Sequence, residues 1–289
     1  MAVAKTGSFS KAAGECYISQ PALSEQIHKL ESDLGKPLFD RSHRKIAPTV
    51  AGRLLMEHAS RILKQIREAK ILVQDSDGIA SGTVALGILP TIAPYFAPHI
   101  LQTFSGECPR VQVVIHEGLT AHLLEMVDGG ELDFAIASLP IKENSFEVEE
   151  LFTEELFLAY PIQHPLAKET KIRLEDLCSE TFILMEERHC LSDQKLVFCH
   201  HRDFRPRIVM RGGQMGTILS LVNSGLGISL IPQMAKDTTM KSVVFRSLEE
   251  PRPTRTIVAL WRIKRSHSKA VQEFLKHLRQ AAKAYLKGS

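Results

Sequence analysis

The 289-residue chain has no apolar run long enough to span a bilayer, which excludes a transmembrane helix. Its opening residues, Met1 to Ser8, lack the basic patch and apolar core of a secretory signal, so a cytoplasmic location with no membrane partner is expected. Aromatic residues are scarce, at 6% with a single tryptophan, against 44% hydrophobic residues, the balance of a globular chain. Cysteines are few and odd in number: Cys16, Cys108, Cys178, Cys190 and Cys199. Such a set argues against a framework of structural disulfides, and a bridge formed in a reducing compartment would signal rather than staple. Neither a metal nor a cofactor is expected.

A large charge of one sign is also missing overall, since the net is only +3. The charge is nevertheless unevenly placed. Residues 1–70 hold twelve Lys and Arg against seven Asp and Glu. A basic front end on a mildly acidic body is the footprint of a domain that meets polyanions, although a solvated charged surface would look the same.

That front end reads as two short helices and a turn. Ser8 to Tyr17 offers capping residues followed by small apolar positions at helical spacing. Ser19 can cap a second helix, and Pro21 sits in its first turn, where a missing N–H costs nothing. Leu23, Ile27, Leu30 and Leu34 predict one buried face, leaving Gln20, Ser24, Gln26 and His28 on the other surfaces. This is the pattern of a helix-turn-helix, whose second helix enters the major groove of duplex DNA. Gly35 ends the helix, and Pro37 to Thr49 forms a basic, hairpin-like wing. Ser19, Gln20, Pro21, Ser24, Gln26 and His28 are the candidate contacts of the second helix, and Arg41, Arg44 and Lys45 of the wing are placed for phosphates.

From Thr49 to about Gln74 no proline interrupts the chain, and Val50, Leu54, Leu55, Ala59, Ile62, Ile66 and Ala69 mark one narrow apolar stripe. A long helix with such a stripe wants a partner, so a dimerisation helix is expected. Asp75 to Gly82 is its hinge. Beyond it, strands are expected at Thr83–Ile88, Val111–His116 and Asp133–Ala137, with helices at Tyr95–Ser105 and Ala121–Asp128 between them. A second set follows: strands at Glu154–Tyr160, Phe182–Met185, Ile208–Met210 and Ile228–Leu230, with a helix at Gly216–Ser224. Thr256–Trp261 reads as a last strand and Lys269–Leu286 as a final amphipathic helix. Repeated βαβ units of this kind make an open α/β sheet covered by helices. The domain reading is 1–48 for the winged helix-turn-helix, 49–78 for the linker helix and 79–289 for a two-lobed regulatory domain. Lobe I takes 79–160 plus 256–289 and lobe II takes 161–255, with a crossover near Tyr160–Pro161. Ligands in such folds bind at the carboxyl ends of strands, in the cleft between lobes. Thr91, in the loop after the first strand, is the natural cleft floor, and Thr120 and Gln214 hold comparable loop positions. A capping or solvent-facing role is as good a reading of each.

One segment stands apart. Cys190 is preceded by Arg188 and His189, and Cys199 is followed by His200 and His201. Cationic neighbours lower a thiol's pKa, and the thiolate is the nucleophile. A low-pKa thiol with a second thiol nearby is the arrangement of a redox sensor.

The front end, from "TGSFSKAA" through "SQPALSEQIHKLESDLGKPLFDR" to "PTVAGRLL", closely resembles the LysR family of bacterial transcriptional regulators. Members usually carry another helical turn or two before the segment that starts here at Met1, so an internal start is expected. The two-lobed body is similar to that family's periplasmic-binding-protein-like effector domain. "HCLSDQKLVFC", flanked by "LPTIAPYFAPHI" and "LVNSGLGISLIP", resembles the redox-active loop of the family's peroxide-sensing branch. By that resemblance Cys190 reacts with hydrogen peroxide, Cys199 resolves it, and His189, Thr91 and Asp193 belong to the same site. Ser192 stands where an arginine is usual, and Arg188 where glycine is common. The resemblance also implies a dimer, or a tetramer, on partly palindromic promoter DNA, control of antioxidant genes, and RNA polymerase as a further partner.

If the intervening residues were helical, the two sulfurs would lie about 13 Å apart along the axis, whereas a disulfide needs Cα atoms within roughly 7 Å. Closing the bridge would therefore refold the segment. Four other readings remain at this point: inert buried cysteines with a metabolite in the cleft, a zinc site whose spacing fits no common pattern, a thiol peroxidase, or a solute-binding protein. The helix-turn-helix argues against the last two.

Overall fold

The computed structural model describes residues 1–41, 46–74, 80–177, 179–185, 207–212, 214–236 and 239–288. The chain divides into two compact units, one built by Met1–Val73 and the other by most of the chain from Gln74 onward.

The first unit opens with α1 (Ala2–Thr6), α2 (Phe9–Glu15) and α3 (Gln20–Leu34). Ser8 accepts a hydrogen bond from Lys11 N and Ser19 from Ala22 N, so both expected caps form. Each is worth about 1 kcal/mol of helix stability. Gly35 ends α3 in the left-handed region at φ 63°. The small core holds Val3, Phe9, Ala12, Leu38 and Phe39, with Leu23 and Ile27 packed half-buried against it. Leu30 and Leu34 depart from the expected buried face: they are 39% and 47% exposed. Leu23 and Ile27 meet the small core while Leu30 and Leu34 lie beyond it, so the apolar stripe outruns the surface it packs on. The wing itself is the pair β1 (Phe39–Asp40) and β2 (Ala47–Pro48), antiparallel. Glu31 holds it to α3 by accepting from Leu38 N at 2.8 Å and Phe39 N at 3.3 Å.

Next comes α4 (Val50–Gln74), a 25-residue helix. Thr49 caps it by accepting from Gly52 N, while its hydroxyl donates to Pro37 O. A Cβ on Gly52 would sit 2.1 Å from Leu38 O, so only glycine lets the helix start against the wing.

The second unit is built on a seven-stranded sheet. β3 (Gly82–Ile88) runs parallel to β4 (Val111–Glu117) and to β5 (Phe134–Ser138), with α5 (Ala93–Glu107) and α6 (Thr120–Gly129) as the crossovers. β6 (Phe146–Pro161) and β11 (Thr254–Arg262) continue the sheet antiparallel, and β9 (Ser229–Pro232) and β10 (Val243–Arg246) pair with the far end of β6. β7 (Thr181–Met185) and β8 (Arg207–Gly212) form a separate parallel pair near α7 (Met215–Asn223), and α8 (Lys269–Gly288) closes the chain.

Two hydrophobic cores share this sheet. One contains Phe146 and Phe152 of β6 with β3, β5, α5 and α8; the other contains Leu156, Leu158 and Tyr160 with β7, β9 and α7. The passage from one core to the other therefore falls between Phe152 and Leu156, earlier than the expected Tyr160–Pro161. Tyr160 is fully buried in the second core, where burial pushes its phenol pKa up against a smaller opposing pull from Arg246.

Candidate functional site

The site lies where the two cores meet. In the β6–β11 register Arg255 pairs with Glu154. Both side chains are fully buried, and Arg255 Nε donates to Glu154 Oε1 at 2.7 Å. Burying two charges costs several kcal/mol per ion, recovered only when the remaining polar atoms are also bonded. That condition is met. Glu154 Oε2 accepts from Met234 N at 2.8 Å and from the Tyr285 hydroxyl at 3.3 Å. The other end of the guanidinium reaches Thr91: Nη1 donates to its hydroxyl at 3.0 Å and Nη2 to its carbonyl at 3.2 Å.

Thr91 is 1% exposed. The expected cleft-floor hydroxyl is thus anchored as an acceptor of a buried cation. It follows β3 by three residues, as Thr120 follows the adjacent parallel strand β4. The Thr120 hydroxyl oxygen is buried and has no hydrogen-bond partner among the described residues. Gln214 caps α7 from an exposed position without a side-chain bond to it. Arg255, Glu154 and Tyr285 carried no signal in the sequence. Each is a lone polar residue in its own segment, and the contacts span 101 to 164 residues.

His189, Cys190, Ser192, Asp193 and Cys199 lie outside the described residues, as do Arg44 and Lys45. Of the described cysteines, Cys16 is exposed and Cys108 half-buried. Burial, then the carboxylates of Glu273 and Glu107, push the Cys108 thiol up, outweighing Lys276. Cys108 is held protonated and is a poor nucleophile.

In the first unit, Gln20, Pro21, Gln26 and His28 lie exposed along α3, and Ser24 is half-buried. Ser19 spends its hydroxyl oxygen on capping. Arg41 is already engaged: Nη2 donates to Glu31 Oε2 at 2.9 Å, and the guanidinium lies 5.1 Å over the Phe9 ring. Neutralised in this way, it contributes less to a phosphate contact than a free arginine would.

Residues 1–53 match the bacterial regulatory helix-turn-helix protein family of lysR type, and residues 77–283 match the LysR substrate binding domain. The chain belongs to the LysR family. It is a DNA-binding transcription regulator, not an enzyme. It is 34% identical over 264 residues to the DNA-binding transcriptional dual regulator OxyR of Escherichia coli strain K12, covering 91% of this chain and 87% of that protein. A hydrogen peroxide-inducible genes activator of Haemophilus influenzae is 32% identical over 257 residues, covering 88% of this chain and 85% of its own. Among solved structures, a full-length OxyR cysteine-to-aspartate variant from Pseudomonas aeruginosa superposes with a TM-score of 0.76 at 28% identity, covering 98% of this chain and 94% of that one. An H2O2-bound OxyR cysteine variant from Corynebacterium glutamicum gives 0.68 at 28% identity, covering 98% and 90%. The regulator is therefore OxyR-like in sequence and in fold. No helix among the described residues is long and apolar enough to cross a membrane.

Proposed function

We propose that this regulator reads hydrogen peroxide through Cys190 and Cys199 and transmits the result to promoter DNA. The observation that carries the reading is the contrast at the carboxyl edge of the sheet. Thr91 is locked by a buried guanidinium, while Thr120 keeps a buried hydroxyl for which no described residue provides a partner. A small, neutral, doubly hydrogen-bonding molecule suits such a place. Relatives that match over most of their length are named hydrogen peroxide-inducible genes activators.

In this reading the Cys190 thiolate attacks one peroxide oxygen. The O–O bond breaks, hydroxide leaves and takes a proton to become water, and a sulfenic acid remains. The Cys199 thiol then loses its proton and attacks that sulfur; the S–O bond breaks as the S–S bond forms, and the departing hydroxide takes that proton to become a second water. Two thiols lose two electrons and one peroxide is reduced to two waters. His189 and Asp193 assist from the same segment, and the cell's thiol reductants reset the bridge.

Self-association follows from α4, where Val50, Leu54, Ile62 and Ile66 are 48–75% exposed and seek a second copy. A dimer, or a tetramer built from two dimers, would set copies of α3 in pairs on duplex DNA, contacting RNA polymerase at a promoter in the cytoplasm. The domain limits 1–48, 49–78 and 79–289 are part of this proposal, as are Gln20, Ser24, Gln26 and His28 as base-facing residues. Cys190→Ser tests it: its DNA binding should equal that of the reduced wild type, and peroxide should no longer change it. A variant that still responds in full removes Cys190 from the mechanism.

A further inference from the structure

The three helices of the first unit end alike, but not on the same residue. α1 and α3 each close on a glycine in the left-handed region, Gly7 and Gly35, both at φ 63°. α2 closes on Tyr17, at φ 55°. The bonding of α2 and α3 is the same. Tyr17 N donates to Gly14 O at 3.2 Å and Ile18 N to Ala13 O at 3.1 Å. Gly35 N and Lys36 N donate in the same way to Ser32 O and Glu31 O, both at 3.2 Å. Such a cap favours glycine, because a Cβ in the left-handed region crowds the backbone. Asparagine is the usual substitute, and a bulky ring at this position is an outlier.

Strain of this kind persists where something else offsets it. Packing within the fold does not. Tyr17 is 96% exposed, so almost none of its side chain touches the protein, and Ile18 beside it is 45% exposed. Exposure runs without a break from Cys16 to Ala22, which makes Tyr17 continuous with the surface that Gln20 and Pro21 form at the start of α3.

The partner of that surface is duplex DNA. In a helix-turn-helix the first residues of the second helix reach base edges, while the first helix crosses the backbone. The turn between the two helices therefore borders the groove where the sugar–phosphate chain runs. Tyrosine suits such a border, with an apolar body for the sugar and a polar tip for the phosphate.

We propose that Tyr17 is a DNA-backbone contact, its ring seated on a deoxyribose and its hydroxyl donating to a phosphate oxygen beside the groove that α3 enters. The contact positions α3 without reading a base. It rests on the helix-turn-helix and is independent of the peroxide reading.

Fluorescence anisotropy of the full chain on two labelled duplexes tests it, one selected by the wild type from a random pool and one with that sequence scrambled. Tyr17→Gly should weaken binding to both about tenfold. The same variant should raise the midpoint of thermal unfolding by about 4 °C, since glycine relieves the strained φ. Tyr17→Phe keeps the ring, loses the hydroxyl, and should weaken binding about threefold. The contact carries no charge, so both variants should keep the wild-type slope of log affinity against log salt. They should also keep the wild-type preference between the two duplexes. Wild-type affinity in Tyr17→Gly overturns the contact, and wild-type affinity in Tyr17→Phe overturns its hydroxyl bond. A lowered midpoint or a shallower salt slope in Tyr17→Gly also overturns it, because the residue would then serve the fold and the cationic contacts of the domain.

Discussion

Thr91 and Thr120 occupy matching places, three residues past the carboxyl ends of neighbouring parallel strands, yet their hydroxyls are treated in opposite ways. Thr91 is built into a charged network that spans β6, β11 and α8. The Thr120 hydroxyl oxygen is buried with nothing described to bond. An unmet buried hydroxyl costs roughly 1–3 kcal/mol in mutational terms, a cost that folding alone gives no reason to keep. In the proposed reading, the first hydroxyl is fixed by the network and the second is open to a ligand.

The sharpest way to break this comparison is to remove the anchor. Arg255→Met leaves Glu154 buried without its cation and should destabilise the protein by about 3–5 kcal/mol, read by urea denaturation. Replacing both charges together, Glu154→Met with Arg255→Leu, should recover most of that loss, because the desolvation cost leaves with them. Thr91→Val removes the acceptor of a buried cation and should cost about 1.5–3 kcal/mol. Thr120→Val should lie within about 1 kcal/mol of wild type, on the stabilising side, since it deletes an unmet polar group. In the peroxide reading, Thr120→Val nonetheless slows Cys190 oxidation about tenfold in stopped-flow measurements. Equal stability losses in the two valine variants would erase the distinction.

The smallest expected effect concerns Cys108. Its thiol pKa is raised in the folded state, first by burial and then by Glu273 and Glu107. The native state therefore favours the protonated form. The associated stability is fully present below the unfolded thiol range and is lost as pH climbs through the raised folded value. Cys108→Ala should flatten the alkaline end of a stability-against-pH curve and leave neutral pH nearly unchanged.

Local chemistry explains what the sequence made legible. Ser8, Ser19, Pro21 and Gly35 act within a few residues of themselves, so the caps and the turn were readable. β3, β4 and β5 were readable from their apolar patterns. The amino-terminal half of β6 was not. Glu147, Glu149 and Glu150 crowd it with acid, a composition depleted in strands. Partners far along the chain make it a strand: Trp261 donates to Glu147 at 2.8 Å, and Arg279 grips Glu149 with two bonds at 2.7 and 2.8 Å. The same distance hid the Glu154–Arg255 pair, and with it the true place of the passage between cores. Thr91 was legible only as a cleft hydroxyl; the fold brings the arginine that holds it. Leu30 and Leu34 erred the other way, since periodicity cannot tell where the packing partner stops.

The most direct test of the central claim is peptide mapping of thiol state in the full-length protein after one equivalent of hydrogen peroxide. A Cys190–Cys199 cross-linked peptide is expected, with Cys16 and Cys108 still reduced. Recovery of Cys190 as a free thiol, with peroxide unspent or another cysteine oxidised first, would contradict it.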